Sequence, residues 1–114
     1  MLDRKKARQD EELKPNQELK QDDGKIQLGL VYRSMPQVFN AIAKVLMFGL
    51  KKGYKKDSWK QVDPERYWHA LYRHLDAHNR GEYIASDSQL PHLHHALCNL
   101  LFLVYLNLVK ENND

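Results

Sequence analysis

A single cysteine, Cys98, in 114 residues means that no disulfide framework holds this chain together. Cys98 lies in an apolar stretch, which fits a small buried side chain in a reducing compartment, so a cytoplasmic setting is expected. Long apolar runs are also missing. The longest, Leu100 to Leu106, is far shorter than the roughly 18 residues of a membrane span, and no membrane association is expected. The charged opening Met1-Leu2-Asp3-Arg4-Lys5-Lys6 leads into no apolar stretch, so no signal peptide is expected. Nor is there a large excess of one charge: 18 Lys+Arg against 15 Asp+Glu leave +3, too little for a dedicated nucleic-acid arm. Nucleic acid is therefore not the expected partner. A Gly-rich phosphate loop, a paired CxxC and a nucleophile elbow are all absent. An adjacent His-Asp pair is absent too, since Leu75 separates His74 from Asp76.

What is present is enough for one compact domain: 42% hydrophobic residues in a chain of this length can bury a core without metal or disulfide staples. Residues 1–25 carry seven basic and seven acidic side chains and almost nothing apolar, so they are expected to form a charged arm, mobile or ordered by a partner. Residues 26–114 are expected to form a single all-α domain. Ile26, Leu28 and Leu30 alternate with other residues and run into Met35-Pro36, which suggests an extended lead-in. From Pro36, a good first helical residue, the spacing Val38, Phe39, Ile42, Val45, Leu46, Leu50 predicts a helix over 36–51 that Gly53 stops. A basic loop, Lys51 to Lys60, follows. Asp63 can cap a second helix with Pro64 in its first turn, ending before Gly81. On its wheel Tyr67, Trp68, Leu71, His74, Leu75 and His78 share the buried side, and Arg66, His69 and Arg73 the other. A polar connection, Gly81 to Gln89, precedes a third helix from about Pro91 to Lys110 that is apolar nearly all round. The fold class is thus a small all-α bundle of about three main helices, completed by a second copy in a homodimer or higher homo-oligomer.

Chemistry concentrates in few places. His92, His95 and Asn99 fall at i, i+3, i+7 on one stripe of the third helix, where buried polar groups need partners. His94 points away from that stripe. His74 and His78 stand at i, i+4, a spacing that lets two imidazoles share a metal, but no third ligand is placed with them. Glu82 and Asp87 are hard oxygen donors on the polar connection, of the kind that holds Mg²⁺ or Mn²⁺ against phosphates. Lys51, Lys52, Lys55, Lys56 and Lys60 surround Tyr54 and Trp59, which suits phosphate charge together with base stacking.

From about Gly24 to Phe102 the sequence resembles the phage and bacterial dATP/dGTP diphosphohydrolase N-terminal domain family, itself similar to MazG-like all-α nucleotide pyrophosphohydrolases. The resemblance rests on Pro36, on Gly49-Leu50-Lys51-Lys52 with Tyr54 and Trp59, and on Tyr67 with Ala70-Leu71-Tyr72-Arg73-His74-Leu75. It continues through Gly81-Glu82, Asp87 and Leu90-Pro91-His92-Leu93-His94-His95-Ala96-Leu97-Cys98-Asn99-Leu100-Leu101-Phe102. It implies Mg²⁺- or Mn²⁺-dependent hydrolysis of a purine deoxynucleoside triphosphate to the monophosphate and pyrophosphate, in the host cytoplasm if the chain is phage-encoded. The expected catalytic group is His95, Asn99 and His92. Lys51, Lys52, Trp59, Arg73 and His74 are expected to bind substrate, and Glu82 and Asp87 the metal.

The sequence also departs from that pattern. MazG-like enzymes carry an ExxE carboxylate pair on an early helix, whereas the first helix here has Gln37, Asn40 and Lys44 on its polar face and no acid. Gly53 also separates Lys52 from Tyr54. The alternative expectation is a degenerate relative that binds a nucleotide or a protein partner without turnover. The arm has acids available, Glu11, Glu12, Glu18, Asp22 and Asp23, but the sequence does not say whether they replace those missing from the first helix.

Overall fold

The computed structural model describes residues 23–113, so the expectations for the charged arm lie almost wholly outside the described residues. The chain divides into two units, Met1–Leu30 and Val31–Asp114. The described elements are helices: α1 (Gly29–Tyr32), α2 (Pro36–Lys51), α3 (Pro64–Asn79) and α4 (His92–Asn113), with a 3-10 turn at Ser58–Gln61. The only β pairing among the described residues is an isolated bridge between Ile84 and Pro91. The fold class is all-α.

Local signals account for the helix boundaries. Pro36 occupies the first turn of α2, where its missing N–H costs nothing, and Gly53 ends the segment at φ +103°. Asp63 caps α3, its carboxylate accepting the Glu65 N–H at 3.0 Å, and Pro64 follows in the first turn. Gly81, at φ +90°, lets the chain leave α3.

Three expectations are corrected. Residues 29–32 form a helical turn instead of an extended lead-in, because the exposed Ile26, Leu28 and Leu30 have no facing strand to reward alternation. The basic loop contains the 3-10 turn, which brings Trp59 back to the bundle. The third helix runs past Lys110 to Asn113, since no glycine or proline stops it.

Helix α4 is the spine. α3 forms the principal pair with it, and α2 and the 3-10 turn also pack against it. Leu71 of α3 meets Ala96 and Leu103 of α4, with Tyr67 and Leu75 packed alongside. The buried apolar residues are few and mostly small, namely Ala41, Ala85, Ala96 and Cys98 beside Leu71 and Leu103. Trp68, expected inside, is 38% exposed and tilts against Tyr72. By length and composition alone, His92–Asn112 is apolar enough to cross a membrane, with mean hydropathy 1.3. Its apolar residues do not form one unbroken run because His94, His95, Asn99 and Asn107 interrupt them; in the fold this segment is the helix on which the bundle is built.

Candidate functional site

A cavity of about 640 Å³ opens among α2, the basic loop, α3 and α4, a volume suited to a small-molecule ligand. Its wall carries Lys52, Lys55, Lys56, Arg66 and Arg73, two carboxylates, Asp57 and Asp87, and the polar trio His74, His95 and Asn99. Aromatic side chains, among them Phe48, Tyr54, Trp59, Tyr67 and Phe102, supply the rest of the surface.

The histidines form one connected group. His74 stacks on His95 with ring centres 4.7 Å apart and planes 11° from parallel. Its Nδ1 lies 2.8 Å from Nδ1 of His92, so one nitrogen donates and the other accepts. Burial, helped by the charges of His95, His92 and Arg73, pushes the His74 imidazole down to about 4 against a weaker pull upward from Asp87. His95 is lowered too, first by burial and then by His92, His94 and Lys52, with Asp87 opposing. Both rings are neutral at pH 7.

The loop between α3 and α4 is folded tightly onto this group. Ala85 N–H donates to Leu90 C=O at 2.9 Å, Gln89 N–H to Ala85 C=O at 2.8 Å and His92 N–H to Tyr83 C=O at 2.8 Å. Ser88 Oγ accepts the Leu90 N–H at 3.1 Å and lies 2.6 Å from His95 Nε2, with its own hydrogen left to donate there. With Nε2 as the acceptor, the ring proton of neutral His95 sits on Nδ1. Asp87 Oδ1 accepts the Ser88 N–H at 2.8 Å, which holds that carboxylate at the turn beside the histidines. Asn99 Nδ2 donates to the His95 carbonyl at 2.8 Å, leaving its amide oxygen without a partner among the described residues.

A family model described as dATP/dGTP diphosphohydrolase, N-terminal, matches residues 15–114. The chain belongs to this family. The matched part is the N-terminal domain of proteins named for hydrolysis of dATP and dGTP. No curated protein and no solved structure matches the chain.

Of the site residues expected from the sequence, the fold gathers some and disperses others. His95, Asn99, His74, Arg73, Lys52, Trp59 and Asp87 line the cavity, and His92 touches it through His74. Lys51 and Glu82 do not line it. His78 turns to the ring of Tyr83, 5.3 Å away, and so does not converge with His74. Trp59 stacks on Phe102 at 4.5 Å and meets Tyr105 edge-on at 5.1 Å, so one face expected to receive a base is already packed. No group of three or more His, Cys, Asp or Glu side chains able to hold a metal occurs among the described residues.

Some contributors had not been singled out. Arg66, placed by the helix wheel on the outer side of α3, faces the cavity because the basic loop lies across from it. Tyr67 Oη donates to the Trp59 carbonyl at 2.6 Å and ties the 3-10 turn to α3. Ser88 had no motif around it. His94, which points away from the stripe, lines a second, apolar groove with Val38, Leu71, Leu75, Leu93 and Leu97, and its buried Nδ1 has no partner among the described residues.

Proposed function

We propose that this cavity hydrolyses purine deoxynucleoside triphosphates, dATP and dGTP, to the monophosphate and pyrophosphate. The observation that carries the reading is the family match together with cations and neutral histidines lining one ligand-sized cavity. In the reaction a water oxygen bonds to the α-phosphorus, the bridge to the β-phosphate breaks, and pyrophosphate leaves. Lys52 and Arg73 neutralise phosphate oxygens as charge develops on the leaving group. Neutral His95, beside Asp87, is the candidate to accept the proton of the water at Nε2, once the Ser88 hydroxyl that occupies this nitrogen turns its own hydrogen away. Asn99 offers its free amide oxygen to orient that water.

The Mg²⁺ or Mn²⁺ that the resemblance implies does not find a matching donor set. Two carboxylates line the cavity, Glu82 is outside it, and no three-ligand group exists among the described residues. The same observation favours a second reading, a family member that binds the nucleotide without hydrolysing it.

Pyrophosphate release and nucleotide products, followed with the common nucleoside triphosphates in EDTA, Mg²⁺ and Mn²⁺, test the proposal. Turnover restricted to dATP and dGTP is expected. Binding without turnover in every condition would select the second reading. We also propose that a second copy covers the apolar groove, because Leu93, Leu100 and Val104 remain 43–48% exposed on α4. A monomer in sedimentation at micromolar concentration would reject that assembly.

A further inference from the structure

We infer that the cavity grips a triphosphate directly through Lys52, Lys55, Lys56, Arg66 and Arg73, so that nucleotide binding does not depend on a divalent metal ion. The inference rests on reading the cavity as a nucleoside triphosphate site, and deepens it by naming what holds the phosphates.

Five cationic residues line one cavity, and none of them is in an ion pair among the described residues, where the pairs are His69–Glu65 and Arg80–Asp76. Like charges so gathered repel one another until an anion enters. The opposing carboxylates are Asp57 and Asp87, and Asp87 is already engaged with the Ser88 N–H. Arg66 and Arg73 stand seven residues apart on one face of α3, roughly 10 Å along its axis, so they can engage different phosphates of one chain. Lys52 Nζ is held over the cavity's aromatic wall, 5.3 Å from the Phe48 ring centre and 5.7 Å from that of Tyr54. The histidines add no ligand for a hard cation. They are nitrogen donors, and the facing nitrogens of His74 and His92 are occupied with each other. A divalent ion riding on the phosphates would cancel the charge these five groups recognise.

Calorimetric titration of the full chain with inorganic triphosphate and with dATP, each in EDTA and in Mg²⁺, tests this. Both ligands are expected to bind in EDTA, with Mg²⁺ tightening neither by more than about threefold. Arg66→Ala and Lys52→Ala, checked for unchanged helicity and melting, should each weaken triphosphate binding in EDTA about tenfold. Lys110→Ala, near the end of α4, should leave it unchanged. Binding that occurs only with Mg²⁺ would overturn the inference, as would variants that bind like the parent. Pyrophosphate release by the same sample separates the two claims: turnover with Mg²⁺ but no binding in EDTA rejects the direct grip alone, whereas neither binding nor turnover rejects both.

Discussion

His74 and His92 meet nitrogen to nitrogen, their Nδ1 atoms 2.8 Å apart, and only one hydrogen fits between them. A proton added to both would set two N–H groups against each other while His95 stacks on the face of His74. The contact therefore opposes double protonation, and burial keeps the His74 ring neutral. An imidazole in the unfolded chain takes up its proton near pH 6.5, whereas His74 in the fold resists until about 4. Stability is then full above about pH 6.5 and falls as the pH drops from there toward 4, because only the unfolded state gains the proton. His95 acts in the same direction. Urea midpoints should be lower at pH 5 than at pH 7.5, and the His74 ring resonances should titrate well below 6.5. A His74 titration at or above 6.5 contradicts this account.

Asn99 and Leu71 are both buried but serve different ends. Asn99 spends its amide on a carbonyl of its own helix and turns to the cavity, so Asn99→Ala should cost no more than about 1.5 kcal/mol of stability while removing most dATP turnover. Leu71 fills the contact with Ala96 and Leu103, and Leu71→Ala should cost about 2–4 kcal/mol. Leu100, which is 43% exposed, should cost far less as alanine in a dilute monomer. Chemical denaturation beside steady-state assays distinguishes these cases. If Asn99→Ala unfolds the chain as Leu71→Ala does, Asn99 is a core group and not a site group.

These contrasts track what was legible beforehand. Pro36, Gly53, the Asp63-Pro64 pair and Gly81 act on their own neighbours, so the limits of α2 and α3 were readable without tertiary information. The His95 and Asn99 stripe was readable because polar side chains on an apolar helix demand a reason. Arg66 was misplaced for a complementary cause: a helical wheel gives an azimuth but not what lies across from it, and only the returning basic loop makes that face a cavity wall. Ser88 and Asp87 reach His95 through a turn closed by backbone bonds, which carries no side-chain period.

Trp59 should behave as a structural element first. Its ring lies against Phe102 and Tyr105, Lys60 Nζ sits 5.6 Å from its centre, and its carbonyl accepts the Tyr67 hydroxyl. Trp59→Ala should lower stability by about 2–4 kcal/mol and loosen the basic loop. Trp59→Phe should recover most of the stability. Fluorescence-monitored nucleotide titration of the phenylalanine variant then asks whether the indole also binds a base. Affinity equal to that of the parent would assign the ring to packing alone.

Cys98 offers a direct check on the α2–α4 contact. The side chain is 1% exposed, its Sγ lies 3.7 Å from the Ile42 carbonyl, and burial raises its thiol to about 11. At pH 8 almost none of it is thiolate, and a reagent that needs the thiolate also lacks a path to the sulfur. A disulfide reagent such as DTNB should leave the native chain unmodified at pH 8 and react with one thiol per chain once guanidinium is added. The residual native rate then reports how often α2 lifts from α4, and it should rise in Leu71→Ala only in proportion to the lost global stability. Rapid stoichiometric reaction of the native chain would show that the α2 contact opens independently of the α3–α4 core, placing the weakest packing of the fold on the side where Lys52 enters the cavity.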